Sequence, residues 1–211
     1  MLFDCKCKKH SFNNKDFSYW ENRETTSDEK TIIKYILDEK FYYNKKILHI
    51  GIGNSDIAKK IDISNSITGI TISNKEIHYG NSLKLNNYKI FYCDKYSLEF
   101  KEIFKNDNFD LIIDINLKSY SCCNNAFIFM MDNIFKILKP GGKIITSING
   151  MKWFKSLKPK LSFSFKRLFY YKMKEVNGNP ANVLTESELK KLCSLYGIKF
   201  LFDKKLCYLI K

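Results

Sequence analysis

The chain has 211 residues, which fits a single domain over 1–211 with enough length for a proper core. Its net charge of +14 comes from 36 basic against 22 acidic residues, and of the basic ones only Arg23 and Arg167 are arginine. The 34 lysines accompany 20 asparagines and 26 isoleucines, residues that share AT-rich codons, so composition bias accounts for the charge; the scarcity of arginine, the better phosphate and base reader, argues against a nucleic-acid partner.

In chain order, Thr26-Ser-Asp-Glu29 is a capping box that predicts a helix to about Glu39. Ile47 to Ile50 reads as a buried strand that runs into Gly51-Ile-Gly53 and a helix from Ser55 to Ile61. Glycines at such a turn let backbone approach a ligand, and a helix start presents free N–H groups. The dinucleotide spacing G-x-G-x-x-G fails, because position 56 is Asp56 and no acid ends the next strand. Ser66 to Ile72 is a second strand, and Ser73-Asn-Lys-Glu76 opens a helix with another capping box. Tyr88 to Cys93 is a third strand ending at Asp94, and Phe109 to Ile115 is a fourth, apolar enough to be central. A helix over Asn125 to Leu138 is expected to stop at Lys139-Pro-Gly-Gly142, read as a turn that no strand crosses. Lys143 to Ile148 is the fifth strand. Thr185-Glu-Ser-Glu188 caps a last helix that closes at Gly197, and Ile198–Phe202 with Leu206–Ile210 reads as a hairpin. Alternation of strand and helix predicts a doubly wound α/β domain. Its mostly parallel seven-stranded sheet would carry an antiparallel C-terminal hairpin strand.

Taken together, Ile-Leu-His-Ile-Gly-Ile-Gly-Asn-Ser (47–55), Thr-Gly-Ile-Thr-Ile-Ser (68–73), Tyr-Cys-Asp (92–94), Phe-Asp-Leu-Ile-Ile-Asp (109–114) and Leu-Lys-Pro-Gly-Gly-Lys-Ile-Ile (138–145) follow one pattern in order and spacing. The chain from about 45 to 211 resembles the Rossmann-like S-adenosylmethionine-dependent methyltransferases. The resemblance implies S-adenosylmethionine as cofactor. Gly51 and Gly53 would line its methionine part, Thr71 stands at the ribose position with Glu76 one turn on, and Ile52, Ser55 and Ile72 are further cofactor-binding candidates. Asp94 would meet the adenine, Asp114 would lie beside the transferring methyl, and Lys95 is a further cofactor-binding candidate.

Two departures stand out. His49 replaces the acid usual two residues before the first glycine, and Thr71 replaces the ribose acid. Glu76 either reaches the ribose in its place or serves only as the capping partner of Ser73. His49 either meets the amino-acid end of the cofactor or is a satisfied core residue. In-line methyl transfer needs alignment more than acid–base machinery. Where a base helps, Asp114, Asn116 and Tyr120 are the catalytic candidates, with cofactor contact or local capping as their alternative roles. The Asn-Pro-Pro-Tyr pattern of many nucleic-acid amino-methyltransferases is absent; the chain reads Asp-Ile-Asn-Leu there.

Two segments are candidate covers for the site. Residues 149–184 form an insertion in which 151–175 hold eight basic residues and one acid, interleaved with seven aromatics. By family analogy it caps the substrate, and its chemistry suits an anionic or aromatic small molecule; a solvated helix and an anionic membrane surface are the alternatives. The N-terminal arm and helix, 1–44, carry Tyr19, Trp20 and Arg23. A ring there could face the sulfonium and Arg23 the cofactor carboxylate, or the arm simply packs. No metal site is expected: Cys5-Lys-Cys7 with His10 lacks a matching second half, and seven cysteines without a signal peptide suit reduced thiols in a cytoplasmic protein. No apolar run approaches the roughly 20 residues of a membrane span. The expected function is methyl transfer to a small molecule. An RNA or protein methyltransferase and a non-catalytic binding protein on the same fold are the rivals.

Overall fold

The computed structural model describes residues 24–38, 43–118, 121, 124–151, 184–203 and 205–211. Helix α1 spans Ser27–Asp38. Then follow β1 (Lys46–Ile50), α2 (Asp56–Lys60), β2 (Ser66–Thr71), α3 (Asn74–Ser82), β3 (Tyr88–Tyr92), α4 (Leu98–Phe104) and β4 (Phe109–Asp114). The second half holds α5 (Asn124–Ile137), β5 (Leu138–Ser147), α6 (Ile148–Met151), α7 (Glu186–Tyr196), β6 (Lys199–Asp203) and β7 (Leu206–Ile210).

The seven strands form one sheet in the order β3-β2-β1-β4-β5-β7-β6. The first five run parallel; β7 pairs antiparallel with both β5 and β6. Each sheet face is buried. On one, Leu48, Ile50, Ile112 and Ile144 pack against Phe100, Phe127, Met130 and Leu189 of the helices. On the other, Ile47, Leu111, Ile113 and Ile145 pack against Ile32, Ile33 and Ile36 of α1 and Ile57 of α2. Burial on both faces is why β4 reads as a continuous apolar run rather than an alternating one. The strand order reverses between β1 and β4, and in open α/β sheets the ligand crevice lies outside the carboxyl ends at that switch point.

The capping boxes at Thr26 and Thr185 are local devices and form as their spacing predicts; at Ser73 only half of the box forms, because the Ser73 N–H donates to Thr71 Oγ1 and not to Glu76. Thr26 N–H and hydroxyl both donate to Glu29 Oε2, at 2.7 and 2.6 Å. Thr185 and Glu188 cap each other reciprocally, and α7 ends at Gly197 with φ 64°. Helix α4 escaped the sequence reading, although Ser97 caps it by accepting from Phe100 N–H at 3.1 Å.

Lys139–Gly142 corrects an expectation. It is not a turn between elements: β5 begins at Leu138 and runs through it to Ser147. Pairing with β4 shifts register between Phe109 and Leu111, so the extra residues are absorbed in a bulge. Gly141 supplies the positive φ of 75°, and its N–H donates to Lys211 O at 2.8 Å. Pro140, which has no N–H to give, costs no ladder bond inside such a bulge.

Candidate functional site

Three of the first five residues after β1 place a backbone in left-handed space: Gly51 at φ 74°, Gly53 at 52° and Ser55 at 57°. Gly51 is exposed, and a Cβ built on it would meet no atom of the described residues within 4 Å. The third left-handed position falls at Ser55, not at 56 where the dinucleotide spacing looks. A serine there is strained. Its hydroxyl is fully buried, 3.3 Å from the Tyr88 hydroxyl. Ser55→Gly is expected to be tolerated, with Ser55→Ala less stable than the glycine variant by about 1 kcal/mol in chemical denaturation. Ile52, by contrast, points into the core: its Cγ2 would stand 2.8 Å from a Cβ on Gly69.

At the end of β2, Thr71 donates its hydroxyl to Glu76 Oε2 at 2.6 Å and accepts from Ser73 N–H at 3.1 Å. Ser73 accepts from Glu76 N–H, as a cap should. Glu76 gives the cap its backbone N–H only, while its buried carboxylate accepts from the Thr71 hydroxyl at the end of β2. Ile72 follows, half-buried. Asp94, after β3, is half-buried and accepts from Tyr96 N–H at 2.9 Å.

Lys95 behaves differently from its neighbours. Its ammonium donates to Asp114 Oδ2 at 2.6 Å, Asn116 O at 3.1 Å and Leu117 O at 3.2 Å, which uses all three of its protons. Asp114 Oδ1 accepts from Asn116 N–H at 3.2 Å, so both carboxylate oxygens are engaged. The pair bolts the loop after β3 to the loop after β4. Lys95 is thus a strut beneath the site, and Asp114 is its anchor.

Groups the sequence reading missed complete this edge. Asp28, in the first turn of α1, accepts from Ser147 Oγ at 2.8 Å and Asn149 Nδ2 at 3.2 Å. Thr25 donates to Asp56 Oδ2 at 2.6 Å, so the start of α1 is tied both to the glycine turn and to the end of β5. Burial alone would push Asp56 up, but hydrogen bonds from Lys59 and Thr25 hold it below the usual carboxylate range. The buried Lys118 ammonium pairs with Glu188 at 2.7 Å and lies 5.4 Å from the Phe127 ring centre. Gly150 packs so closely that a Cβ would come 1.8 Å from Ile115 O. None of these pairings has a sequence signal, since each joins residues from separate elements.

His49 is buried and lies on the α1 face of the sheet, level with Gly69 of β2 and Ile113 of β4. Neither ring nitrogen has a hydrogen-bond partner among the described residues. Burial pushes the ring down to about 4, against the opposing charge of Glu29. It is therefore not a satisfied core histidine. Trp20, Arg23 and Tyr120, the residues 152–183 of the proposed cap, and Cys5, Cys7 and His10 lie outside the described residues. Met151 O and Leu184 N, which flank 152–183, are joined by a 3.0 Å bond at this same edge. Among the described residues no cluster fits a metal ion, and no helix is long and apolar enough to cross a membrane.

No protein-family model matches the chain, and no curated protein matches it in sequence. Its architecture, however, is shared with solved structures. The N-methyltransferase NodS from Bradyrhizobium japonicum, in complex with S-adenosyl-L-homocysteine, is 12% identical with a TM-score of 0.61, over 94% of this chain and 97% of that one. An S-adenosylmethionine-dependent methyltransferase from Clostridium acetobutylicum is 13% identical with a TM-score of 0.62, over 93% and 95%. One from Methanosarcina mazei is 18% identical with a TM-score of 0.57, over 83% and 94%. The chain has the class I methyltransferase fold. At these identities the likeness speaks for the fold, and the methyltransferase fold is known by its sheet order and not by its substrate.

Proposed function

We propose that this protein is an S-adenosylmethionine-dependent methyltransferase acting on a small anionic or aromatic molecule by in-line displacement. One observation carries the reading: the carboxyl edge of β1 to β3 pairs an open left-handed glycine turn with a carboxylate at each following strand end, Glu76 and Asp94. That set suits a ligand with an amino-acid end, ribose hydroxyls and an adenine amine. Gly51, Gly53 and Ser55 would hold the first, Glu76 with Thr71 the second and Asp94 the third. When bound, the cofactor supplies an already activated methyl group. The protein's part is alignment and exclusion of water.

Asp114, with both oxygens occupied, suits holding the β4 loop better than taking a proton. Asn116, half-buried beside it, is the described candidate for orienting an acceptor. The basic, aromatic sequence of 151–175 supports an anionic or ring-bearing acceptor.

Calorimetric titration with S-adenosylhomocysteine tests the reading, run on the natural protein and on Gly51→Val. A valine at φ 74° is strained but meets no neighbour, so the fold is expected to survive while the side chain fills the space over the turn. Micromolar binding that the variant loses supports the site. No binding at millimolar ligand overturns the cofactor reading and favours a non-catalytic binding protein.

A further inference from the structure

The sheet ends in two edge strands, β3 and β6, and an edge offers a row of backbone N–H and C=O groups to any strand laid beside it. Proteins commonly blunt such edges with charged side chains. β6 reads Lys199-Phe-Leu-Phe-Asp203, with its charges at the two ends and three large apolar residues between them. Leu201 is 58% exposed and Phe202 42%. Phe200 is half-buried against the core, and its ring meets that of Phe202 edge to face, 5.6 Å between centres. β5 and β7 separate this strand from β4 and the switch point, so it takes no part in the cofactor site.

The backbone of β7 shows which groups of β6 are left over. Lys211 N–H donates to Gly142 O at 3.1 Å and Lys211 O accepts from Gly141 N–H at 2.8 Å, so residue 211 turns both groups toward β5. Residues of an antiparallel strand alternate in this respect. Cys207 and Leu209 therefore also face β5, while Leu206, Tyr208 and Ile210 face β6. The register sets those three opposite Asp203, Leu201 and Lys199, whose backbone groups are spent on β7. Phe200 and Phe202 turn theirs outward, where β6 has no neighbour among the described strands.

We propose that β6 pairs antiparallel with β6 of a second copy of this chain, about a two-fold axis through Leu201, so that the two sheets run on as one. The strand is self-complementary in that register. Lys199 falls opposite Asp203 of the second copy, Phe200 opposite Phe202 of the second copy, and Leu201 opposite its own counterpart. Each contact is returned by the other copy, as a two-fold dimer requires. The two Phe200–Phe202 pairs have their backbone groups outward and can exchange two hydrogen bonds each, and the Leu201 pair is of the non-bonded kind, in which side chains come closest. Opposite charges and apolar groups facing across strands both stabilise the pairing. Parallel pairing would set Lys199 against Lys199 and Asp203 against Asp203, so the charges select the antiparallel arrangement. β3 lacks this property: in Tyr88-Lys-Ile-Phe-Tyr92 the one charge, Lys89, would fall opposite Phe91.

The test is sedimentation equilibrium of the full chain at about 0.15 M salt, where the +14 charge of each copy is screened beyond about 8 Å. The natural protein is compared with Lys199→Asp, with Asp203→Lys and with an equimolar mixture of the two. Both side chains are exposed, so neither reversal disturbs the core. The natural protein is expected to dimerise in the micromolar range. Each variant alone sets like charges opposite one another at both ends of the strand, so its dimer should dissociate about tenfold more readily. In the mixture the acid introduced in one chain faces the lysine introduced in the other, and the native Asp203 and Lys199 still face each other. Affinity should therefore return to within about threefold of the natural value, a rescue that damage to the fold could not produce. Leu201→Glu, which places two like charges on the axis, should leave monomer alone. A natural chain that stays monomeric through the micromolar range overturns the proposal. So does a dimer that Leu201→Glu or the reversals do not weaken, and so does a loss that mixing does not restore.

Discussion

Replacing Lys95 by methionine is expected to destabilise the protein by about 3–5 kcal/mol, the usual cost of stripping one partner from a buried ion pair. The side chains of Lys95 and Asp114 are only 11% and 3% exposed, so water cannot take the place of the lost ammonium. Asp114 would keep the N–H of Asn116 and lose its counter-charge, and the carbonyls of Asn116 and Leu117 would lose their donor. The double variant Lys95→Met with Asp114→Leu is expected to recover most of the loss, because removing both charges removes the penalty along with the attraction. Urea denaturation of the two variants checks this. A cost below about 1 kcal/mol for the single variant would place the pair with solvent-screened ion pairs and contradict its buried geometry. Glu188 offers a contrast. Burial pushes its carboxyl up, but hydrogen bonds from Lys118 and from the Thr185 backbone outweigh that and hold it low. There the lysine is the buried partner and the acid the half-exposed one.

The second large effect is on stability against pH. His49 titrates at about 4 in the folded protein, because burial disfavours its charged form, and at 6.5 in an unfolded chain. The unfolded state therefore gains a proton first as pH falls. The stability that neutral His49 allows is fully present above pH 6.5 and is lost progressively down to about pH 4, where the folded ring also protonates. The separation corresponds to about 3 kcal/mol. Glu29, the acid acting on the ring, works in the opposite direction and is already reflected in that value. Carboxyls held low, Asp56 and Glu188 among them, also cost stability in acid. His49→Leu leaves them in place, so the difference between the two proteins isolates the histidine. Denaturation midpoints measured from pH 7.5 to 4 should fall more steeply for the natural protein than for His49→Leu. Parallel curves would mean that the ring is solvated.

Much of the fold is legible in the chain because it is set by neighbours three or four residues apart, or by a repeat of burial along a strand. The capping boxes at Thr26 and Thr185, the apolar run of β4, the left-handed turn at Gly51 and the stop at Gly197 are of this kind. Their interactions close within one turn or one strand, so residue type and spacing suffice. Tertiary structure decided the rest. Lys139–Gly142 became a bulge inside β5, because β4 on one side and Lys211 on the other supplied partners that the local sequence does not contain. Lys95 found Asp114 19 residues away, and Lys118 found Glu188 across 70. His49 has no hydrogen-bond partner among the described residues, although its sequence offers no sign of it. Charge pairing and burial depend on which strand ends the topology brings together, and that order, β1 beside both β2 and β4, arises from the packing of the whole sheet. The sequence by itself therefore determined most of the elements and the sheet class, though not α4 or the start of β5. Only the tertiary structure decided which charged groups at the carboxyl edge are committed to each other.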